Sequence, residues 1–556
     1  MATAADVIFT GGAVFTGSGD PIRGYAVAVT GDRITAVVSA SEIELYCDAE
    51  TRIVDLDGAL LSPGFQDAHV HPTSGGVELL QCNLTGGGSA ADAVAIIAAY
   101  AAANPDVGWI TGGGWSMDHY PGGNPTASLI DDVVPDVPVT LMSRDHHSLW
   151  ANTAAMRAAG IDADTPDPVD GVIVRDAVGH PSGTFHEGAV DLFGGHRPTP
   201  DADLVYRGLL RAQEELTALG ITGWQDALIG EAAGMANPLD AYLRAADEGT
   251  LEVHVVGSQW WERSAGIEQV ARMAARREQV AARDTGGKVS LGTTKIMVDG
   301  VAENRTAAML TPYGDGHGHP TGNSGLSFID PELLKQYVTA LDAAGQQVHF
   351  HALGDRAVRE ALDALEAARA ANGATDGRHH LAHLQVVDEA EVPRFAELDA
   401  TANIQALWAT HEDQMDELTL PFLREGAESR HYPFGDFVRA GVRLCAGSDW
   451  PVSSADPIAA IHIAVNRTAP GSDAPPLAGP EQRIGLAAAF AAYTSGTARI
   501  NHRDDDTGRI RPGYLANLTV ISPNPFELAP GDIHTATVQS TWIDGRPVYV
   551  RPGSAR

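Results

Sequence analysis

The stretch Gly64 to Pro72, GFQDAHVHP, sets two imidazoles two residues apart. Phe65 to Val70 reads as a strand, so His69 and His71 project from one face, where both can ligate one metal ion. Core and surface histidines produce His-x-His by chance, so the motif needs company. It finds company in order along the chain: Lys295, His351, His383 and Asp449 each fall near the C-terminal end of a predicted strand. Neutral imidazoles with a carboxylate form the ligand set of Zn²⁺ or another divalent transition metal. An ammonium is no ligand, but a lysine amine that takes up CO₂ becomes a carbamate whose oxygens bridge two ions. Several choices stay open here. His349 shares the strand parity of His351, and His379 and His380 lie close to His383. Lys295 could instead pair with Asp299 at the rim, leaving Glu187 in GTFHEGA as the bridging carboxylate.

These residues need elements that bring them together. Eight strand-like runs, GFQDAHVH, GITGWQDA, LEVHVVGSQ, TTKIMVDG, QQVHFHALG, HHLAHLQVV, TANIQALWA and VRLCAGSDWP, alternate with helical ones. That alternation predicts an α/β fold, a (β/α)₈ TIM barrel with its active site at the C-terminal strand ends. The count requires Thr73 to about Ala202 to be an insertion after the first strand, placed to act as a lid. Short strands with Gly-Asp and Gly-Gly turns at both ends of the chain predict a small β-sandwich shared by the termini. The expected division is 1–63 and 505–556 for the sandwich, 64–504 for the barrel and 73–202 for the inserted subdomain.

Composition narrows the function. There are 37 basic against 72 acidic residues, a net charge of −35, and no basic run, which disfavours nucleic acid and anionic membrane as partners. The three cysteines, Cys47, Cys82 and Cys445, lack metal or disulfide spacing, which fits a reducing cytoplasm. The N-terminal segment has neither the basic nor the apolar stretch of a secretory leader, and no run is long and apolar enough to span a membrane.

As a set, DAHVHP, GGGW, RDHHSLWANTAAM, GTFHEGA, KIMVDGVAENRTAA, HFHALGDRAV, HLAHLQ and AGSDWPV resemble the motifs of the amidohydrolase superfamily. The nearest likeness is its YtcJ-like branch, amidohydrolase family 3, which includes N-substituted formamide deformylase. The resemblance implies a metal-dependent hydrolase of carbon–nitrogen bonds other than peptide bonds. By the same resemblance its metal is a divalent ion, zinc in the first place, one ion or two, held by His69, His71, His351, His383 and Asp449. Lys295 is then a carboxylated bridge with Glu187 as the alternative, and Asp449 and His383 are catalytic. The substrate is a small amide, N-formyl amine or cyclic amide; a metal-dependent esterase or lactonase and a non-catalytic regulatory barrel are the alternatives. Trp115, His147, Arg305, Gln405 and Trp450 are expected around it, and Trp109, Trp115 and Trp150 suggest an aromatic substrate. Barrels of this kind often pair, so a homodimer is compatible. One departure is ANL at Ala516 to Leu518, where relatives commonly read ADL, outside the expected site.

Overall fold

The computed structural model describes residues 4–230, 236–424 and 426–553. The first three residues of the N-terminal segment discussed above lie outside these. Eight parallel strands stand in sequence order in one nearly closed sheet: β1 Phe65–Val70, β2 Ile221–Ile229, β3 His254–Trp260, β4 Val289–Met297, β5 Gln347–Ala352, β6 His380–His383, β7 Thr401–Ile404 and β8 Arg443–Ala446. Each overlaps one of the eight expected segments, five lying wholly inside, while β2 and β3 run past the C-terminal end of theirs and β4 starts four residues before its own. β1, β2, β5, β6 and β7 are buried along their whole length, as strands of a parallel sheet covered by helices must be.

The ring is drawn together at the C-terminal ends of its strands between β1 and β8. There Asp449 N donates to His69 O at 2.7 Å, His71 N to Trp450 O at 2.9 Å, and Ser448 N to the Asp67 carboxylate at 3.0 Å. Gly447 makes this approach possible, because a Cβ there would stand 2.6 Å from the His69 nitrogen. The outer wall is helical. Pro331–Ala343 and Asp355–Asn372 bury Leu334, Val338, Leu362 and Leu365 against Val348, Phe350 and Leu381 of the sheet. Ala202–Ala218, capped by Asp201, buries Val205, Leu209, Ala212 and Leu216 at helical spacing.

Pro72–Leu79 is a helix that lies directly on Ala202–Ala218, so the excursion after β1 departs later than Thr73. A Cβ at Gly76 would come within 1.8 Å of the Gly208 carbonyl oxygen, a closeness that only glycine permits. From Cys82 the excursion builds a six-stranded sheet of its own, ending at Pro181–Glu187. At the other end of the barrel, N-terminal Leu60–Pro63 pairs antiparallel with C-terminal Leu518–Ser522 in a second six-stranded sheet. A four-stranded sheet from the N-terminal segment shares an apolar cluster with it, including Phe9, Val27, Leu61, Leu518 and Trp542.

Asp544 fastens the C-terminal hairpin to the barrel. Its carboxylate lies 3.1 Å from His254 Nε2 and 2.5 Å from Lys288 Nζ, and its backbone N–H donates to Asn517 at 2.9 Å. The unusual Asn517 of the ANL turn thus has a structural partner. Burial alone would raise the Asp544 carboxyl, but His254 and Lys288 outweigh it and hold the group well below 3.8. A carboxylate depressed on folding contributes stability that is present above its ordinary range and lost as pH falls through its folded value. Asp544→Ala is therefore expected to lower stability by about 2 kcal/mol at pH 7, with a smaller difference in strong acid. Urea unfolding at both pH values checks this, and equal midpoints for the two proteins at pH 7 would count against the tie.

Candidate metal centre and active site

β1 presents Asp67, His69 and His71 at its C-terminal end, and the loop after β8 brings Asp449 over them. Asp449 Oδ1 lies 3.2 Å from His69 Nε2 and 3.1 Å from His71 Nε2, and its Oδ2 lies 3.9 Å from His383 Nδ1. Candidate ligand atoms of His69, His383 and Asp449 all fall within 4.8 Å of one another, in buried surroundings. Backbone conformation helps aim them: His383 has φ +79° and Asp449 φ +57°. Left-handed conformations of this kind cost of order 1–3 kcal/mol each and persist where surrounding structure enforces them.

The polar atoms at this point fit a cation. Both ring nitrogens of His383, Nδ1 of His71 and Oδ1 of Asp449 are buried without a hydrogen-bond partner among the described residues. Buried polar atoms normally find partners, so this concentration of unmet acceptors is the property of a ligand set. Protonation states agree. Burial, assisted by Lys295, pulls His69 down to about 3, so its imidazole is neutral, as a ligand must be. Burial works to raise Asp449, but His69 and His71 beside it hold the group ionised, well below the usual carboxylate range.

Lys295, at the end of β4, is 2 % exposed and places Nζ 3.1 Å from His69 Nε2. Burial pulls its amine from 10.5 to about 7. It does not pair with Asp299, whose carboxylate instead accepts the backbone N–H groups of Ala308, Leu353 and Gly354. His351 stands in the same wall, its ring 4.4 Å from that of His383. Its Nε2 is 3.4 Å from the Gly300 carbonyl.

Glu187 is committed elsewhere. Oε2 meets His147 Nδ1 at 2.9 Å and Oε1 accepts the Thr306 hydroxyl at 2.7 Å. The pairing changes His147: burial would lower it, but Glu187 raises it to about 9, leaving a cation beside the cavity. Two cavities meet at the cluster, and His147 lines both.

Three of the five residues expected around the substrate, Trp115, Gln405 and Arg305, are placed differently. Trp115 is buried in the core of the excursion, its indole N–H donating to the Leu141 carbonyl and its ring packed on Tyr120 and Trp150. Trp109 donates to Thr140 in the same sheet. Those tryptophans therefore say nothing of the substrate; the aromatic residues lining the cavities are Trp408, Tyr432 and Trp450 in one and Trp260 in the other. Gln405 works behind the site, accepting the His383 N–H at 2.6 Å. Arg305 stacks over Phe422 and lines neither cavity.

Residue patterns also left a polar layer below the site unread. His349 Nε2 lies 2.9 Å from His69 Nδ1, its own ring 4.1 Å from that of His380. His380 Nε2 meets Gln225 Oε1 at 2.9 Å, and Gln225 donates to Asn501 and Gln347. The shared parity of His349 and His351 in HFH was the available signal; depth in the barrel separates their roles. A partner on Nδ1 fixes the ring and frees Nε2 for the cavity. His349→Ala is expected to weaken metal retention by about 10–100-fold while the fold persists. Competition with a graded series of chelators measures it, and an unchanged affinity would reduce His349 to filler.

Residues 52–549 match the model of the amidohydrolase family. The chain belongs to that family. It is 30% identical over 555 residues to Protein LONG AFTER FAR-RED 3 of Arabidopsis thaliana, covering 98% of this chain and 92% of the relative. Identity is 29% to the putative amidohydrolase YtcJ of Bacillus subtilis, covering 98% and 99%. It is 26% to the N-substituted formamide deformylase of Arthrobacter pascens, covering 95% of each. Among solved structures, an uncharacterized metal-dependent hydrolase from Pyrococcus horikoshii superposes with a TM-score of 0.71 at 22% identity, covering 94% of this chain and 99% of that one. That structure and this chain share one fold. No helix among the described residues is long and apolar enough to cross a membrane.

Proposed function

We propose that the protein hydrolyses a carbon–nitrogen bond other than a peptide bond in a small amide, N-formyl or cyclic amide. The observation that carries this is the unmet, buried acceptor set of His383 and Asp449 beside His69 and His71, opening on substrate-sized cavities. The formamide-cleaving relative, similar over nearly the whole chain, supports the bond type.

In this reading His69, His71, His351, His383 and Asp449 hold a divalent ion, most simply zinc, and Lys295 as its carbamate admits a second. Such an ion lowers the pKa of water toward ~7 and polarises a carbonyl, which is the chemistry it supplies when bound. Asp449, ionised, accepts the proton of the attacking water and returns it to the leaving nitrogen, the step an amide requires because an amide anion leaves poorly. His383 is held for its part by the Gln405 bond to its N–H and by Trp408, stacked 5.4 Å away. His147, kept cationic by Glu187, faces the cavity and offers an N–H to the carbonyl oxygen as charge develops there. Trp450 forms part of the wall.

The sheet of the excursion serves as the lid in this reading, since Asn83, Thr85, Arg144 and His147 reach the cavity from it. The division at 1–63, 64–504 and 505–556 belongs to the same proposal, with the terminal β pieces as one sandwich. So does a cytoplasmic homodimer acting on a small molecule; a single-chain mass by light scattering would remove the dimer.

Stripping the protein with a chelator, restoring Zn²⁺, Mn²⁺ or Co²⁺ and assaying N-acyl amines, cyclic amides and matched esters tests the reading. Turnover of amides is expected only with metal restored. Turnover that is indifferent to chelator, or confined to esters, would overturn it.

A further inference from the structure

Two cavities, rather than one, open from the Asp449 cluster. The first, about 460 Å³, extends under the segments after β7 and β8, with Leu79, Leu407, Trp408, Tyr432 and Trp450 among its walls. The second, about 990 Å³, extends over the ends of β2, β3 and β4, bounded by Val190, Leu228, Trp260, Arg263 and Met297. Asp145, His147, His351, His383, Asp449 and Val452 line both. Each volume falls in the range of small-molecule sites. A reacting carbonyl beside Asp449 therefore has a chamber on either side of it. A formamide carries only hydrogen on its carbonyl carbon and would fill one of them.

We propose that the substrate is a secondary amide with a sizeable substituent on both the carbonyl carbon and the nitrogen, one lodged in each chamber. This rests on the amide-hydrolase reading above and names the substrate class within it. The chambers differ in chemistry. Trp408, Tyr432 and Trp450 give the first an aromatic lining suited to an aryl or alkyl arm. In the second, Arg263 Nη1 is 3.4 Å from Asp170 yet buried without a hydrogen-bond partner among the described residues. A guanidinium in the cavity wall suits an arm bearing an acceptor, such as a carbonyl, hydroxyl or carboxylate.

The test crosses acyl groups (formyl, acetyl, phenylacetyl) with amines (methylamine, benzylamine, glycine) on the metal-restored protein. Two-armed amides are expected to exceed, by about 10-fold or more in kcat/KM, both the formamide of the same amine and the N-methyl amide of the same acid. Two substitutions separate the arms: Ser454→Trp at the exposed lip of the first chamber and Ser264→Trp at that of the second. Each should lower the preference for a long over a short substituent on one side of the amide, and the two variants should act on opposite sides. Calorimetry with non-hydrolysable ketomethylene analogues gives a readout without turnover, the two-armed analogue binding tightest. Formamides as the best substrates, or both variants acting on the same arm, would overturn the two-chamber proposal and leave amide hydrolysis standing. Turnover of no amide by metal-loaded protein would remove both.

Discussion

Asp449→Asn is expected to lower turnover by about 10³-fold while the protein stays folded and keeps part of its metal. The substitution preserves shape and hydrogen-bonding size, so packing beside His69 and His71 is retained. It also respects the backbone: Asp449 sits at φ +57°, and asparagine is among the few residues at ease in the left-handed region. What disappears is the charge. The carboxylate of Asp449, kept ionised by its imidazole neighbours, can take a proton, whereas an amide cannot. A loss of about 10³ corresponds to about 4 kcal/mol of barrier, the scale of a general base with its electrostatic contribution. Metal content, thermal unfolding and kcat on a responsive amide should be measured together. A kcat unchanged in a folded, metal-loaded variant would move the proton transfer to another group, and unfolding of the variant would make Asp449 structural first.

How far the site could be read before the structure depended on whether strand parity or depth decided the matter. His69 and His71 were legible because two residues on one strand face must point together, and both do reach one oxygen of Asp449. The eight strands were legible because the helical and extended periods alternate regularly, and covered strands are short and apolar. The role of His349 was not: it has the same parity as His351, and only the barrel in three dimensions puts one ring a layer below the other. Trp115 misled for the converse reason. A large aromatic in an excursion near an active site is equally suited to a pocket or to a sheet's own core, and the pairing of Ile110–Trp115 with Val139–Ser143 decides for the core. Gln405 shows a third case, in which a polar side chain at a strand end faces a neighbouring backbone instead of the cavity.

Lys295→Ala is expected to cost turnover about 10²–10³-fold, or roughly 3–4 kcal/mol of barrier. The lysine has no ordinary explanation where it stands. It is 2 % exposed, its amine contacts an imidazole, and among the described residues no carboxylate lies in ion-pair reach of it. Keeping an unpaired ammonium there opposes folding by several kcal/mol. Burial relieves this by drawing the amine down to about 7, so that a large share is neutral at physiological pH and carries the lone pair that adds to CO₂. Addition of the neutral amine would form the N–C bond of a carbamate and release one proton, and with the proton already lost from the ammonium an unfavourable cation would become an anionic ligand. Two effects of the alanine variant should therefore run in opposite directions. The metal-free protein should be no less stable, having lost an unpaired buried amine, while metal per chain and turnover both fall. Acetate or propionate, small enough to enter the space left by the side chain, should restore part of both. Full metal content and turnover in the variant would assign Lys295 to packing. A drop in the unfolding temperature of the metal-free form would show that its amine stabilises the barrel directly.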